Sequence, residues 1–170
     1  MVKLSTITGA AALVLAGLAP QGAAQAQDTV RLKLSTYIPG GHRLVKEFIE
    51  PWMKQVKDGS GGKVEFTLYT AGSAFGNIVK QYDQVRAGVV DLSVGLTGIP
   101  RGRFPRTSII EMPFMVKSAD ASTKALWDVF PKYLAQEYPG VKVLILFGHN
   151  AAQIHTTKKQ ATSPTDIKGL

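Results

Sequence analysis

A single stretch, residues 87–98, narrows what this chain can fold into more than any other. It reads Ala87-Gly88-Val89-Val90-Asp91-Leu92-Ser93-Val94-Gly95-Leu96-Thr97-Gly98. Gly88 falls where a helix would end in the left-handed backbone conformation, which a side chain disfavours. The apolar run at 89–94 that follows is broken only by Asp91 and Ser93, and then come two glycines. Helix, glycine, buried strand and glycine-rich turn are the grammar of an open α/β sheet. In such sheets ligands sit beyond the carboxyl ends of the strands, so the turn at 95–98 is the first place to look for a site.

Earlier residues fit the same pattern. At 30–35, Val30, Leu32 and Leu34 alternate with Arg31, Lys33 and Ser35, which predicts a half-buried strand ending in the breaker-rich turn that holds Tyr37. Leu44, Val45, Phe48, Ile49, Trp52, Met53 and Val56 then recur at helical spacing. Pro51 inside that run predicts a kink or a break, and the glycine cluster at 59–62 ends the helix. A second strand is predicted at 63–69. Asn77 then caps a helix whose apolar face is Ile78, Val79, Tyr82 and Val85, closed by Gly88. The 89–94 strand follows as the central one.

Later, Ser118 is placed to cap a helix that Pro131 interrupts, and Pro139-Gly140 marks a turn. Residues 141–147 are almost wholly apolar, which predicts a strand covered on both faces. His149 and Asn150 would lie at its carboxyl end, with an extended segment at 151–157 carrying Gln153. Ser163-Pro164-Thr165-Asp166 reads as a helix start. Tyr37, residues 95–98 with Leu96, Thr97 and Gly98, and His149 and Asn150 all follow predicted strands, so a parallel sheet would gather them at one edge.

The N-terminus is read as a leader. Lys3 supplies a positive start, residues 10–18 an apolar core, and Ala24-Gln25-Ala26 a small-residue cleavage site. The apolar part is shorter than a membrane span. Residues 1–26 are therefore expected to be a signal peptide, which places the remainder in the periplasm. The chain has no cysteine, so neither disulfides nor thiol chemistry is available. Its formal charge of +8 admits nucleic acid, an anionic surface or an anionic ligand as partner. Export disfavours nucleic acid, and no basic stripe is interleaved with stacking aromatics. Arg101, Arg103 and Arg106 either attract an anion or, as surface charges usually do, solvate a loop.

Catalytic patterns are absent. There is no nucleophile elbow, phosphate loop, dinucleotide fingerprint or paired-histidine zinc helix. His42, His149 and His155 are scattered, so no metal or cofactor is expected. Asp91 is read as structural, bonded to a nearby backbone, and binding rather than catalysis is the expected activity.

With these residues in place, the chain resembles the periplasmic solute-binding proteins of tripartite ATP-independent (TRAP) transporters, dicarboxylate-binding type. Leu32-Lys33-Leu34 with His42 resembles their opening strand. Gly61-Gly62-Lys63-Val64 and Tyr69-Thr70-Ala71-Gly72 resemble their second unit. Val85-Arg86-Ala87-Gly88-Val89-Val90-Asp91-Leu92, Phe104-Pro105 and Met112-Pro113-Phe114 are similar to their central signature. Thr156-Thr157-Lys158 and residues 163–170 are similar to the passage entering their second domain.

The resemblance implies two α/β lobes closing around a small organic anion, no enzymatic activity, and delivery of the ligand to a TRAP membrane permease. Residues 27–150 would be the first lobe, and 151–170 the crossover and the start of the second. Carried over by position, Tyr37, Leu96, Thr97 and Gln153 face the ligand. Gln153 stands where several members carry an arginine and Leu96 where some carry an acid, so the ligand need not be a sialic acid or a dicarboxylate. Members are about twice as long, and their carboxylate-clamping arginine follows the Lys168-Gly169-Leu170 passage. Rival readings are a receptor of another transporter or sensor class, an inactive truncated product and, with least support, an exported enzyme.

The leader reading has a direct check. Intact-mass measurement of periplasmic material should give a chain beginning at Gln27. Retention of Met1 in that fraction would defeat the export argument.

Overall fold

The computed structural model describes residues 29–151, 153–157 and 160–168. The expected leader lies outside them. Among the described residues no helix is long and apolar enough to cross a membrane.

Three parallel strands form the sheet, in the order β2-β1-β3: β1 is Val30–Thr36, β2 is Val64–Tyr69 and β3 is Leu92–Val94. Val30 stands opposite Val64 and Leu34 opposite both Leu68 and Leu92. The mixed α/β architecture with an open parallel sheet is the fold class read from the sequence. One detail differs: the middle strand is β1, and the segment after Gly88 lies at an edge. Burial explains the order. The first residues of β1 are largely exposed, whereas Leu34, Ser35 and Thr36 are buried, because only that end has a neighbour on both sides. Asp91 fastens the entry to β3. The Lys33 amide donates to Asp91 Oδ2 at 2.7 Å, and the Asp91 amide donates back to the Lys33 carbonyl at 2.9 Å. Asp91 is structural, as its place in a strand suggested.

Helices cover the sheet. A π-helical turn, Val45–Ile49, runs directly into α1, Glu50–Gly59. Pro51 sits in the first turn of α1, and the helix changes from π to α hydrogen bonding just before it, a local interruption of the kind its position predicted. Val45, Ile49, Leu34 and Ile38 form the core, with Trp52, Met53, Phe66 and Leu92 packed around them. A short 3₁₀ turn, Ile78–Lys80, opens α2, Gln81–Arg86, with the Val79 amide donating to Asn77 Oδ1 at 3.0 Å as the cap reading required. Gly88 has φ +68°, the left-handed value its position called for. The third helix, α3, is Ala119–Val129, capped by Ser118 through the Ala121 amide and continued by a π turn containing Pro131.

The predicted strand at 141–147 does not form. A strand there would need a hydrogen-bonding neighbour along its edge and covering layers on both faces, and among the described residues the sheet ends at β3. Only Leu146 is buried, against Leu126 and Leu134. Leu144, Ile145 and Phe147 are 56, 45 and 53% exposed. The segment at 151–157, expected to be extended, likewise joins no strand pair among the described residues.

The arginine-rich loop is held by local contacts. Arg103 pairs with Asp83 at 3.0 Å and lies over the Tyr82 ring, and Arg106 donates to the Tyr133 carbonyl. Glu137 closes this region by accepting from the Arg106 amide and from the Thr107 amide and hydroxyl at 2.7–2.9 Å. Burial acts to raise the Glu137 pKa, but these donors outweigh it and hold the carboxyl below its ordinary value. A carboxyl depressed in the folded state stabilises above its unfolded pKa and loses that contribution as pH falls through the folded one. Stability should therefore fall on acidification below the ordinary carboxylate range. The difference between wild type and Glu137→Gln in urea unfolding should shrink over the same interval, and a pH-independent difference would remove this role from Glu137.

Candidate functional site

The carboxyl edge of the sheet is shaped by a buried amide. Gln81 is 2% exposed although it occupies the apolar face of α2. It accepts from Ser35 Oγ at 2.7 Å, and its Nε2 donates to the Phe75 and Asn77 carbonyls at 2.9 and 3.0 Å. One side chain thus joins the end of β1, the loop after β2 and the start of α2. The turn after β3 rests on it as well: a Cβ on Gly95 would come within 3.3 Å of the Gln81 Cβ. Thr36, wholly buried, accepts from the Ile38 amide at 3.2 Å and fixes the turn that carries Tyr37.

Three of the sequence-predicted residues meet here. Tyr37 leaves the end of β1 half-buried. Thr97 and Gly98 lie in the turn after β3, where the Ile99 amide donates to the Leu96 carbonyl at 3.2 Å. Glu111 joins them. Thr97 Oγ1 donates to Glu111 Oε1 at 2.9 Å, and the second carboxylate oxygen lies so close to Gly98 that a Cβ there would approach it to 2.3 Å. Burial, and after it the charge of Glu111, push the Tyr37 phenol above its ordinary value, so the phenol stays a hydrogen-bond donor at neutral pH. Leu96 is 39% exposed beside them. The edge therefore presents a phenol, a hydroxyl and a carboxylate, suited to orienting a small polar ligand by hydrogen bonds. Among the described residues no group of three or more metal-binding side chains is assembled.

The other expected residues lie elsewhere in the contact network. Asn150 Oδ1 accepts from the Ala119 amide at 2.9 Å, at the start of α3, and His149 Nδ1 lies 2.6 Å from the Asn150 carbonyl oxygen. Gln153 is exposed. A separate concavity of about 390 Å³ opens between Leu44 and Phe48, Thr123 and Trp127, and residues 144–147. No charged side chain lines it, so a carboxylate entering there would lose water without meeting a cation.

Sequence reasoning passed over Gln81 and Glu111. Gln81 had a signal: it falls three residues after Ile78 and four before Val85, on the face that should be apolar. Glu111 had none beyond its place before Met112-Pro113-Phe114, because its approach to Thr97 spans a turn that periodicity does not describe.

Comparison with known proteins gives the chain's family. The family model described as "Bacterial extracellular solute-binding protein, family 7" matches residues 34–170. The chain belongs to that family. Among solved structures, this family 7 chain is 34% identical to a TRAP solute-binding protein from Rhodoferax ferrireducens in complex with copurified benzoate, with a TM-score of 0.66 over 70% of this chain and 37% of that one. It is 33% identical to a marine metagenome TRAP solute-binding protein specific for aromatic acid ligands, solved with 3-hydroxybenzoate, with a TM-score of 0.67 over 71% of this chain and 38% of that one. A curated relative, the outer membrane transporter protein TsaT of Comamonas testosteroni, is 29% identical over 127 residues, covering 74% of this chain and 37% of its own. The family 7 chain thus spans well under half the length of the relatives it matches.

Replacing Gln81 tests how far the edge depends on it. Gln81→Leu leaves the buried Ser35 hydroxyl without its partner and takes one of two donors from each of the Phe75 and Asn77 carbonyls, which keep Gln84 Nε2 and the Lys80 amide, and should cost about 1–3 kcal/mol in chemical denaturation. A loss below about 0.5 kcal/mol would mean that water replaces the amide and that the edge is not built on it.

Proposed function

We propose that this chain supplies the first lobe of a periplasmic receptor that reversibly binds a small organic acid and hands it to a TRAP-type membrane permease. Residues 27–150 form that lobe and 151–170 begin the crossover to the second. The observation that carries the reading is the convergence of Tyr37, Thr97 and Gly98 at the carboxyl edge of a parallel sheet, in a chain of the solute-binding family 7. Family membership supports reversible binding over turnover, and membership of TRAP systems supports the permease as partner. Aromatic monocarboxylates are favoured over dicarboxylates, since two solved neighbours at 33–34% identity carry benzoate and 3-hydroxybenzoate. In this reading Tyr37 donates to the ligand, Thr97 lines the turn beside it with its hydroxyl donated to Glu111, Leu96 packs on the ligand's apolar part, and His149, Asn150 and Gln153 approach from the crossover side.

Affinity in such a site grows with donors that surround the anion in a dehydrated cleft. One open lobe offers few, so the 170-residue chain should bind benzoate with a dissociation constant in the millimolar range. Ligand-observed NMR titration with benzoate, mandelate and succinate measures this. Thr97→Arg should abolish the binding while leaving the melting temperature within about 2 °C, because the added bulk fills the turn and Glu111 captures its charge. Unchanged affinity in Thr97→Arg would move the site elsewhere, and a large drop in melting temperature would make Thr97 a packing residue.

A further inference from the structure

We propose that Glu111 is the specificity-determining residue of this site and selects organic acids that carry a hydroxyl as well as a carboxylate. The inference rests on the receptor reading and narrows its substrate class. A receptor for plain organic anions has no use for a carboxylate among its ligand-facing groups, yet one is present. Glu111 Oε1 accepts from Thr97 Oγ1 at 2.9 Å, and Oε2 occupies the space where a side chain at residue 98 would begin. Gly98 thus keeps room for the carboxylate at the turn. The Tyr37 phenol lies within reach of its charge from the end of β1. Among the described residues no lysine, arginine or histidine is within ion-pair distance of Glu111.

A carboxylate offers about four acceptor positions. One is taken by Thr97, and among the described residues no cation pairs with the group. An unsubstituted acid entering beside it brings a second negative charge and nothing to donate, so like-charge repulsion opposes its binding. A hydroxyl on the same ligand changes the balance, because it donates to the free positions of Glu111 while the ligand carboxylate accepts from the Tyr37 phenol, the Thr97 proton being held by Glu111. A hydrogen bond to an ionised acceptor is among the stronger ones available to a neutral group. Glu111 is exposed in the open lobe, so its removal leaves the core untouched.

The test compares acids of equal charge that differ by one hydroxyl. Benzoate, 3-hydroxybenzoate and 4-hydroxybenzoate are titrated by ligand-observed NMR into the wild-type chain, Glu111→Ala and Glu111→Gln, with thermal melts run in parallel. Wild type should prefer at least one hydroxybenzoate over benzoate by about tenfold, the scale of one charge-assisted hydrogen bond. Glu111→Ala should bring the acids within about twofold of one another and bind benzoate more tightly than wild type does. Glu111→Gln, which keeps an acceptor and loses the charge, should retain a preference of a few fold and decides the matter if the alanine variant fails to fold. A preference that survives unchanged in Glu111→Ala, or a wild type that does not discriminate, overturns the inference while leaving the receptor reading in place. Failure of all three acids to bind any of the proteins overturns both.

Discussion

The carboxyl edge of the sheet depends on one buried amide. Gln81 reaches from α2 to the hydroxyl of Ser35 at the end of β1 and to two carbonyls in the loop after β2. The Ser35 hydroxyl would otherwise be a polar atom withdrawn from water without a partner, a cost larger than the net gain of an ordinary hydrogen bond, while the two carbonyls also accept from Gln84 Nε2 and the Lys80 amide. Because the three partners come from different parts of the chain, one side chain sets the spacing of strand, loop and helix together. The turn after β3 then packs on the same glutamine through Gly95. The positions of Tyr37 and Thr97 follow from this arrangement, not from any contact between them.

What that edge presents is polar and unevenly charged. Asp83 and the backbone of Tyr133 already engage Arg103 and Arg106, so two of the three loop arginines act within the fold. The site itself has hydroxyl donors and one carboxylate. The apolar concavity beside residues 144–147 offers the opposite chemistry, with tryptophan, phenylalanine and leucine and no charged side chain. A carboxylate-bearing ligand discriminates between the two on desolvation alone.

The sequence carried much of this in its local chemistry. Gly88, Asn77 and Ser118 were legible because a left-handed residue and two helix caps each depend on a few adjacent positions. Asp91 was legible as structural because a charge inside a strand must find a partner close by. The edge position of β3 was not legible, since strand order is a long-range property and the same apolar run suits the middle or the side of a sheet. Residues 141–147 misled for the same reason: their composition asks for two covering layers, and composition does not say whether the described fold supplies them. Pro51 marked the place where the helix changes hydrogen-bonding pattern, although spacing did not reveal that the change would be from a π turn to an α-helix. Of the site, Tyr37, Thr97 and Gly98 were legible from strand ends, and Glu111 was not, because its contact is made across an irregular loop.

Amide chemical-shift mapping tests the central claim, that the sheet edge and not the apolar concavity receives the ligand. The account predicts that benzoate titrated into isotope-labelled chain shifts the amides of Tyr37, Thr97 and Gly98 along one saturable curve, with those of Trp127 and residues 144–147 unmoved. Shifts confined to Trp127 and residues 144–147, with the strand-end turns silent, would contradict it.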